Sequence, residues 1–522
     1  MTSPGAASPG EVDVLGLAGA SVHDDLAAQA ERAPTDRLAS GRLAGLSMWS
    51  AIWVLSWPIL IESFLTSLVG LVDTTLSAGL SEAATDAIGA AAYVQWFIQM
   101  IGMAVGVGAT ALVSRSIGKG RQAVADAVTA QALLLSLFAS ILVGVGLIVV
   151  APTIAWMLNL SVEASAELVL YLRVTALAVP LSGVLVAGIA CSRGAGDAKR
   201  PLIVMIVVNL VNIGVSWALS GVSLARTTIG PAGEPMRSVY LPNPFPFDLG
   251  ILGVALGTVA AWTVGAALVL WWLARGTTGV RLKRRRLRPD MVTLMRVVRV
   301  GLPNFLESSG MWLGNFLVIL IVGWMAAGSE GLLGAHIVAI RIEAFSFLPG
   351  FAMGMAAATL AGQYLGAGRA DLASTALVRC TWIAAGIMFA MGMVFILAPR
   401  AVVGILSQQA VHLEYAPKLL MIAGSVQAPF AIGLVLRTAM RGAGDTTVVM
   451  WLTWISTYAI RLPAAWFFSG VDIPLGAWGV IPNPGPDWGL VGVWVGLCSE
   501  LIMRALLFGG RFVHGGWRRV RV

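Results

Sequence analysis

Uncharged apolar stretches of about 20 residues recur along most of this chain and limit what it can fold into. The stretch QALLLSLFASILVGVGLIVV (131–150), for example, contains no charged residue. A helix of about 20 apolar residues crosses the ~30 Å hydrocarbon core of a bilayer. Only 11% of the residues are charged, against roughly 25% in ordinary soluble proteins. The short alternating strands of a membrane barrel are missing, so the sequence predicts an all-α polytopic membrane protein.

Twelve transmembrane helices are predicted from these stretches. Several of them exceed 25 residues, so we expect tilt or extension beyond the bilayer. The predicted spans cover residues 47–79, 83–113, 122–150, 168–191, 201–220, 249–274, 296–325, 332–365, 371–398, 415–440, 447–469 and 488–510.

Basic residues in the connections predict the orientation of the spans. One set of connections and tails carries twenty-one Lys and Arg residues, and the other set carries four. The richer side is expected to be cytoplasmic, which places both termini in the cytoplasm and the protein in the inner membrane. The run RLKRRRLR (281–288) is interpreted as a cytoplasmic linker that touches anionic lipid. No nucleic-acid partner is expected.

An internal repeat divides the chain into two six-helix lobes. The pentapeptide RGAGD occurs at 193–197 and again at 441–445, 248 residues later. Six is an even number, so both copies enter the membrane from the same side, and such parallel repeats enclose a central cavity in secondary transporters. The pentapeptide itself is predicted to be a turn, in which glycines end one helix and Asp197 or Asp445 caps the next. Three further pairs of segments match: WPILIESF (57–64) with LPNFLESS (302–309), IGKGRQAVADA (117–127) with LGAGRADLAST (365–375), and LPNPFPFDLGILGVALG (241–257) with IPNPGPDWGLVGVWVG (481–496).

Five segments follow from the repeat and the charge pattern. They are a disordered cytoplasmic tail (1–45), an N-lobe (46–275), a basic cytoplasmic linker that acts as a hinge (276–295), a C-lobe (296–511) and a basic cytoplasmic tail (512–522). No basic segment followed by an apolar run opens the chain, so no cleaved signal peptide is expected.

Asp73 is the main candidate for a coupling-ion site. Inserting a charged group into the hydrocarbon region costs at least about 2.5–3.5 kcal/mol of free energy on insertion scales, so such a residue is expected to have a function or a structural partner. Asp73 has no Lys or Arg nearby in its own span, and its counterpart in the second repeat is Val318. We interpret Asp73 as a cation or proton site, the alternative being a buried hydrogen-bond anchor.

Polar residues on the fifth and sixth spans extend this candidate site. Asn212 and Ser216 are four residues apart and share one helical face, and Asn209 lies one turn earlier. Ser216 and Thr258 lie roughly 7–15 Å from the outer ends of their helices, as does Asp73. Equal depth predicts one oxygen-lined pocket that could hold a monovalent cation. The alternative is hydrogen bonding that merely joins helices.

A second group of candidates lies in the C-lobe and on the second span. Glu307 is the repeat equivalent of Glu62 and is interpreted either as a substrate or proton contact or as the structural partner of Arg341. His336 and Glu343, seven residues apart on the eighth span, complete the C-lobe set together with Arg341. Possible cavity-lining residues are Gln95, Trp96 and Gln99.

The sequence resembles the multidrug and toxic compound extrusion (MATE) transporters over all twelve spans, from about residue 47 to residue 510. The segments that carry the resemblance are GLVDTTLSAGL (70–80), RGAGD…P…NLVN (193–212), GLPNFLE (301–307), LGAHIVAIRIEAFSFLPGF (333–351), TLAGQYLGAGRADLA (359–373) and MRGAGDTT (440–447). The resemblance implies two lobes in a V shape and export of organic, often cationic, compounds driven by inward flow of Na⁺ or H⁺.

Two positions depart from what the resemblance implies. Relatives with a well-formed Na⁺ site carry a second carboxylate where this chain has Ser216. Some relatives also place a glutamate on the seventh span where this chain has Met311. Asp73 is then the single titratable group of its pocket, which favours H⁺ over Na⁺ as the coupling ion.

The function predicted from the sequence is a secondary antiporter that exports a small organic compound in exchange for H⁺ or Na⁺ by alternating access of two lobes. The resemblance implies that this compound is cationic and drug-like. No HExxH, GxSxG or Walker sequence occurs, so neither an enzyme nor an ATP-driven pump is expected. We expect no cofactor, no metal beyond a possible Na⁺ at Asp73, contact with membrane lipid, and a monomer. The alternative is a lipid-linked saccharide flippase of the same superfamily, whose cavities commonly carry several basic residues; Arg173, Arg341, Arg437 and Arg461 are the candidates here.

Overall fold

The computed structural model of the protein describes residues 36–229, 235–326, 331–474 and 479–520. Nine helices of these segments are long and apolar enough to cross a membrane. The N-lobe helices are α1 Met48–Leu80, α2 Glu82–Gly118, α3 Gln122–Met157, α4 Val162–Ala176, α5 Val179–Gly194, α6 Lys199–Ser220 and α7 Ile251–Arg275. The C-lobe helices are α8 Met291–Ala326, α9 Leu332–Gly366, α10 Ala370–Leu397, α11 Pro399–Leu406, α12 Ala410–Ser425, α13 Gln427–Gly442, α14 Thr446–Trp454, α15 Leu462–Ser469 and α16 Gly489–His514.

Three further predicted spans are interrupted in the middle. Together with the nine continuous helices they make up the twelve spans that the sequence predicts. The fourth span is α4 followed by α5, bent by 55°, and the tenth is α12 followed by α13, bent by 60°. Pro180 and Pro429 lie in the first turns of α5 and α13, where the missing N–H and the ring favour a break in the preceding helix. The eleventh span contains a π-helical segment, Ile455–Arg461, between α14 and α15.

Two short antiparallel hairpins lie at one end of the helix bundle. Strand β1 (Leu224–Ile229) pairs with β2 (Pro235–Leu241), and β3 (Ile473–Pro474) pairs with β4 (Val480–Ile481). After each hairpin an asparagine binds back to the preceding helix: Asn243 Nδ2 donates to the Trp217 carbonyl at 2.7 Å, and Asn483 Nδ2 donates to the Trp466 carbonyl at 2.6 Å. We call this end the hairpin end, and the opposite end, which carries both RGAGD turns, the RGAGD end.

A buried ion pair recurs at equivalent positions of the two lobes. Arg193, the first residue of one RGAGD sequence, pairs with Glu62 in the middle of α1. Arg441, the first residue of the other, pairs with the fully buried Glu307 of α8, with 2.7 Å between guanidinium and carboxylate. The pentapeptide is therefore more than a turn, because its arginine is the counter-ion of the glutamate in the matching proline–glutamate segment.

The rest of the pentapeptide forms the predicted turn. Gly196 and Gly444 have φ values of +90° and +89°, in the left-handed region that glycine adopts readily. The Asp197 side chain accepts a hydrogen bond from the Arg200 backbone N–H at 3.3 Å in the first turn of α6, as predicted. The Asp445 side chain does not cap α14; it accepts a hydrogen bond from Arg511 at 2.8 Å instead.

The two lobes meet at the RGAGD end. Gln363 Nε2 of α9 donates to the Gly194 carbonyl at 3.0 Å, and Thr359 Oγ1 donates to the Arg193 carbonyl at 3.2 Å. Reciprocally, Arg115 of α2 donates to the Ala443 carbonyl at 2.8 Å. Arg115 and Gln363 are repeat equivalents, so each lobe binds the RGAGD turn of the other. The two lobes are therefore held together at this end.

The predicted disordered tail is folded over its last ten residues, while residues 1–35 lie outside the described part of the chain. Leu38 and Leu43 are buried in the same apolar cluster as α9 and α10. Ser40 Oγ donates to the Ile117 carbonyl at 2.7 Å, and Tyr364 Oη donates to the Asp36 carbonyl at 2.9 Å. The prediction of disorder is wrong for 36–45, because the spaced leucines of this segment find apolar partners only after the two lobes have come together.

The predicted linker is also better ordered than a flexible hinge. Helix α8 begins at Met291, and the preceding segment is held to α3 by Asp126, which accepts from the Arg281 backbone N–H at 2.8 Å and pairs with Lys283 at 3.0 Å. Most of its basic side chains remain exposed. In the C-terminal tail Trp517 is fully buried, and the Val520 carbonyl accepts a hydrogen bond from Arg115 at 2.6 Å.

Loss of the C-lobe ion pair is expected to destabilise the fold strongly. Glu307→Gln leaves Arg441 buried without a counter-ion, which should cost about 3–5 kcal/mol. We expect a clear drop in the thermal unfolding midpoint of the detergent-purified protein. The midpoint is measured by size-exclusion chromatography of samples that have been heated to increasing temperatures. Glu82→Gln, at an exposed position at the start of α2, is the matched control and should unfold with the parent. Equal midpoints for Glu307→Gln and the control would refute this role of the pair.

Candidate functional site

The N-lobe pocket forms where α6 packs against α7. Asn212 Nδ2 of α6 donates to Thr258 Oγ1 of α7 at 3.3 Å. Ser216, one turn along α6, is fully buried and donates to the Val254 carbonyl at 3.4 Å. Asn209 is buried on the same helix. The structure therefore brings together the predicted polar residues of α6 and α7. The Ser216 hydroxyl uses its hydrogen to bond a backbone carbonyl.

Asp73 lies half-buried on α1 and has an oxygen without a protein partner. Its Oδ1 is buried and accepts no hydrogen bond; Asn209 Nδ2 and Asn212 Oδ1 are likewise buried and unpaired. A buried polar group without a partner is unfavourable. Asp73 Oδ1 and Asn212 Oδ1 are acceptors, which a cation or a proton could satisfy, whereas Asn209 Nδ2 is a donor and needs an acceptor.

Tyr171 of α4 links Asp73 to the rest of the pocket. This tyrosine is buried and lies within electrostatic reach of Asp73 and close to the side chains of Thr258 and Gln95. Sequence reasoning missed Tyr171, although a tyrosine inside an apolar span is a signal, because a buried hydroxyl usually needs a partner. Gln95, predicted as cavity lining, thus approaches the Asp73 pocket through Tyr171.

The remaining predicted lining residues of α2 are Trp96 and Gln99. Trp96 is 48% exposed, and Gln99 is half-buried. The neighbouring Phe97 meets Phe305 of the C-lobe edge to face, with 6.4 Å between the ring centroids. This places that face of α2 opposite α8, and the lining role of Trp96 and Gln99 stays a prediction.

In the C-lobe the partner predicted for Glu307 is wrong. Glu307 pairs with Arg441, accepts a hydrogen bond from Thr453 at 2.7 Å and lies 3.9 Å from Arg437. Arg341 lies elsewhere, exposed on α9. The error arose because Arg341 and Glu307 lie on spans adjacent in sequence, whereas the true partner comes from the repeat-related turn. Glu307 is fully buried here, so its contact with substrate or proton stays a prediction.

His336 and Glu343 have separate surroundings. His336 is buried, and its Nδ1 accepts a hydrogen bond from Trp494 Nε1 of α16 at 3.0 Å. Glu343 lies half-buried two turns away, within electrostatic reach of Arg461. The two residues therefore do not form one site in this conformation.

A buried charge network in the C-lobe was largely missed from the sequence. Arg461, at the end of the π-helical segment, donates to Asn315 Oδ1 at 2.5 Å and to Glu500 at 3.2 Å. Glu500 also pairs with Arg504 at 2.5 Å on the same helix. The signal was the i, i+4 acid–base pair inside an apolar span, and π-helical segments are frequent at functional sites.

Comparison with known proteins places this architecture in a family. The sequence model of the MatE family matches residues 58–218 and 303–467, one segment in each lobe. A probable multidrug resistance protein NorM of Thermotoga maritima is 27% identical over 477 residues, covering 89% of this chain and 92% of the relative. The multidrug resistance protein PmpM of Pseudomonas aeruginosa is 26% identical over 490 residues, covering 90% and 91%.

Solved structures show the same fold. A crystal structure of MATE in complex with MaL6 superposes with a TM-score of 0.77 at 22% identity, covering 90% of this chain and 97% of the other. An outward-facing multidrug resistance MATE family transporter of the MOP superfamily gives 0.75 at 22% identity, covering 89% and 96%. With the family match extending over more than half of the chain in both lobes, this protein belongs to the MatE family, the multidrug and toxic compound extrusion transporters.

Proposed function

We propose that this protein is a secondary active antiporter that exports organic compounds in exchange for H⁺ or Na⁺ by alternating access of its two lobes. The observation that carries the proposal is the buried, unpaired carboxylate oxygen of Asp73 on α1, together with unpaired amide atoms of Asn209 and Asn212 on α6, the helix against which α1 packs. The names of the relatives, which are multidrug resistance proteins, support the export of organic compounds. Each chain holds both lobes and hence a whole cleft, so we propose that it acts as a monomer.

The composition of the pocket favours H⁺ as the coupling ion. Oxygen ligands suit Na⁺, but Asp73 is the one carboxylate among the pocket residues, and the Ser216 hydroxyl proton is committed to the Val254 carbonyl. A protonated carboxyl becomes a hydrogen-bond donor, and the unpaired Asn212 Oδ1 is an acceptor in the same pocket. Protonation of Asp73 thus removes the buried charge and supplies a donor to the pocket.

Coupling follows if proton binding and substrate binding favour opposite states of the lobes. By linkage, two ligands that stabilise different conformations weaken each other's binding reciprocally. Gln363, Thr359 and Arg115 donate hydrogen bonds to the RGAGD turns of the opposite lobe. These hydrogen bonds must break before the lobes can leave the present state. Because residues 281–283 are held to α3, we propose that the linker moves with the N-lobe and that the change of angle takes place nearer α8.

The charge asymmetry supports an orientation in which the RGAGD end is cytoplasmic. The basic residues 281–288 and the described terminal segments 36–45 and 515–520 lie at this end, and basic residues are enriched on the cytoplasmic side of membrane proteins. The protein is a multi-pass membrane protein, and we propose that it resides in the inner membrane with the cleft open to the outside in this structure.

A lipid-linked saccharide flippase is the second candidate function. The observation that favours it is the exposed Arg341 on the cleft side of α9. The multidrug names of the relatives favour efflux. Transport of a soluble compound under an ion gradient, in liposomes that lack such a lipid, separates the two candidates.

Asp73→Asn should abolish coupled transport without preventing folding. The amide mimics the neutral carboxyl permanently, so we expect ion-driven transport to fall by about tenfold or more in proteoliposomes. Asn212→Ala and Thr258→Ala each remove one neutral group and should reduce coupling less. The measurement is uptake of an organic substrate into the vesicles under a Na⁺ gradient or an H⁺ gradient separately, at matched protein content.

Asp86→Asn is the matched control, because Asp86 is exposed near the start of α2. It should transport like the parent. If Asp73→Asn does so too, Asp73 is a structural anchor and the ion site must be sought elsewhere. The gradient that drives transport by the parent protein identifies the coupling ion. Transport driven by a Na⁺ gradient alone would contradict the preference for H⁺.

The orientation predicts which engineered cysteines an impermeant reagent reaches. The three native cysteines are buried and can be replaced first. Arg285→Cys, at an exposed position in the basic segment, should react with an impermeant maleimide only after the cells are opened. Val162→Cys, 88% exposed at the start of α4 near the opposite end, should react in intact cells. The reverse labelling pattern would invert the topology.

A further inference from the structure

In the described part of the C-lobe (291–326, 331–474 and 479–520), the interior carries more buried positive charge than negative charge. Four arginines are each no more than 12% exposed at the side chain, two glutamates are fully buried, and one more glutamate is half-buried. The buried Asp445 pairs with Arg511 as a separate neutral pair. Even with all three glutamates ionised, the four arginines leave one positive charge. The arginines are Arg437, Arg441, Arg461 and Arg504, and the glutamates are Glu307, Glu343 and Glu500.

The excess charge is located at Arg437. Glu307 makes its closest contacts with Arg441, at 2.7 and 2.9 Å, and lies 3.9 Å from Arg437. The Arg437 guanidinium instead donates to Met311 Sδ at 2.9 Å, and its buried Nε has no partner. A thioether is a weak acceptor and carries no charge. A guanidinium so poorly compensated is unfavourable in a membrane-spanning region unless another anion comes near.

The network reaches an exposed position at Asn315 of α8, and Arg341 of α9 is exposed at a similar depth. Asn315 is exposed and accepts a hydrogen bond from Arg461. Arg341 is exposed and lies one turn from Phe345, whose ring stacks on Phe64 of the N-lobe at 6.5 Å. Measured along their helices at ~1.5 Å per residue, Arg341 and Asn315 lie about 14 and 16 Å from the hairpin-end termini of α9 and α8. They therefore stand at similar depth on the C-lobe side.

We propose that the C-lobe wall of the cleft binds an acidic group, a carboxylate or a phosphate, of the transported compound. This inference rests on the proposed function. Arg341 makes the direct contact, because it is exposed and its planar guanidinium suits an oxyanion. Arg437 and Arg461 lie behind the wall and provide positive potential in a region of low dielectric. The favoured substrates are small organic acids and zwitterions, in contrast to the cationic compounds expected from the family resemblance, and compounds with cationic groups alone are disfavoured.

A binding experiment tests the site without an ion gradient, so that its failure is distinct from failure of coupled transport. The probes are a fluorescent xanthene dye with a free carboxylate and the methyl ester of the same dye. Their fluorescence anisotropy is measured with the detergent-purified protein. The parent should bind the acid about tenfold more tightly than the ester, the range expected for a charge-assisted hydrogen bond. Equal affinity for acid and ester would overturn the proposal.

Variants locate the preference for the acid on the C-lobe wall. Arg341→Gln should abolish the preference, and Arg341→Lys should keep part of it. Arg400→Gln, at an exposed arginine at the start of α11, is the matched control and should bind like the parent. A full preference in a folded Arg341→Gln protein would overturn the assignment of the contact.

A second variant tests the buried charge independently of Arg341. Met311→Glu places a carboxylate beside Arg437, and it should lower the preference for the acid about tenfold while leaving Arg341 in place. An unchanged preference in a variant that elutes as a folded monomer would show that the buried excess plays no part.

Competition distinguishes two sources of the acidic group. Displacement of the acid dye by benzoate identifies a small organic acid as the ligand and supports the proposal. Displacement by phosphatidylglycerol but not by benzoate supports an anion site and overturns its assignment to soluble compounds. Displacement by neither, at concentrations far above that of the dye, would overturn the site.

Discussion

A buried pair of glutamate and arginine organises each lobe of this transporter. Glu62 with Arg193, and Glu307 with Arg441, tie the middle of the first helix of a lobe to the end of its fourth span. An unpaired charge at this depth would be costly, so the pair fixes how these two helices sit against one another. The arginine also begins the RGAGD turn, whose carbonyls bind the other lobe. One pair therefore positions both the lobe interior and the closed end of the cleft.

The two lobes share this framework but differ in charge. The N-lobe has an unpaired carboxylate oxygen at Asp73 on α1 and unpaired amide atoms of Asn209 and Asn212 on the neighbouring helix α6. The C-lobe has an arginine, Arg437, whose best partner is the Met311 thioether. Duplication thus left a common scaffold on which each lobe acquired its own chemistry. Under the proposed mechanism, the acidic wall serves the coupling ion and the basic wall serves the substrate.

The closed end is held by chain segments outside the helix bundle as well as by the bundle itself. Residues 36–45 contact both lobes, through Ile117 on one side and Tyr364 on the other. The C-terminal Val520 carbonyl binds Arg115, which also binds the RGAGD turn of the C-lobe. These contacts stabilise the state seen here relative to one open at the RGAGD end, so alternating access must release them. Both terminal segments thereby influence the balance between the two states.

The twelve spans and the two lobes follow from the sequence alone, and so does the expectation that Asp73, Ser216 and Thr258 lie at one depth. Hydropathy, repeat spacing and helical rise are local properties, and they can be read without knowing how helices pack. Only the tertiary structure decided that Glu307 binds Arg441 rather than Arg341, that Tyr171 reaches Asp73, and that residues 36–45 fold. Each of these depends on which faces of helices distant in sequence are brought together. Pairing of buried charges and burial of spaced leucines are properties of that packing.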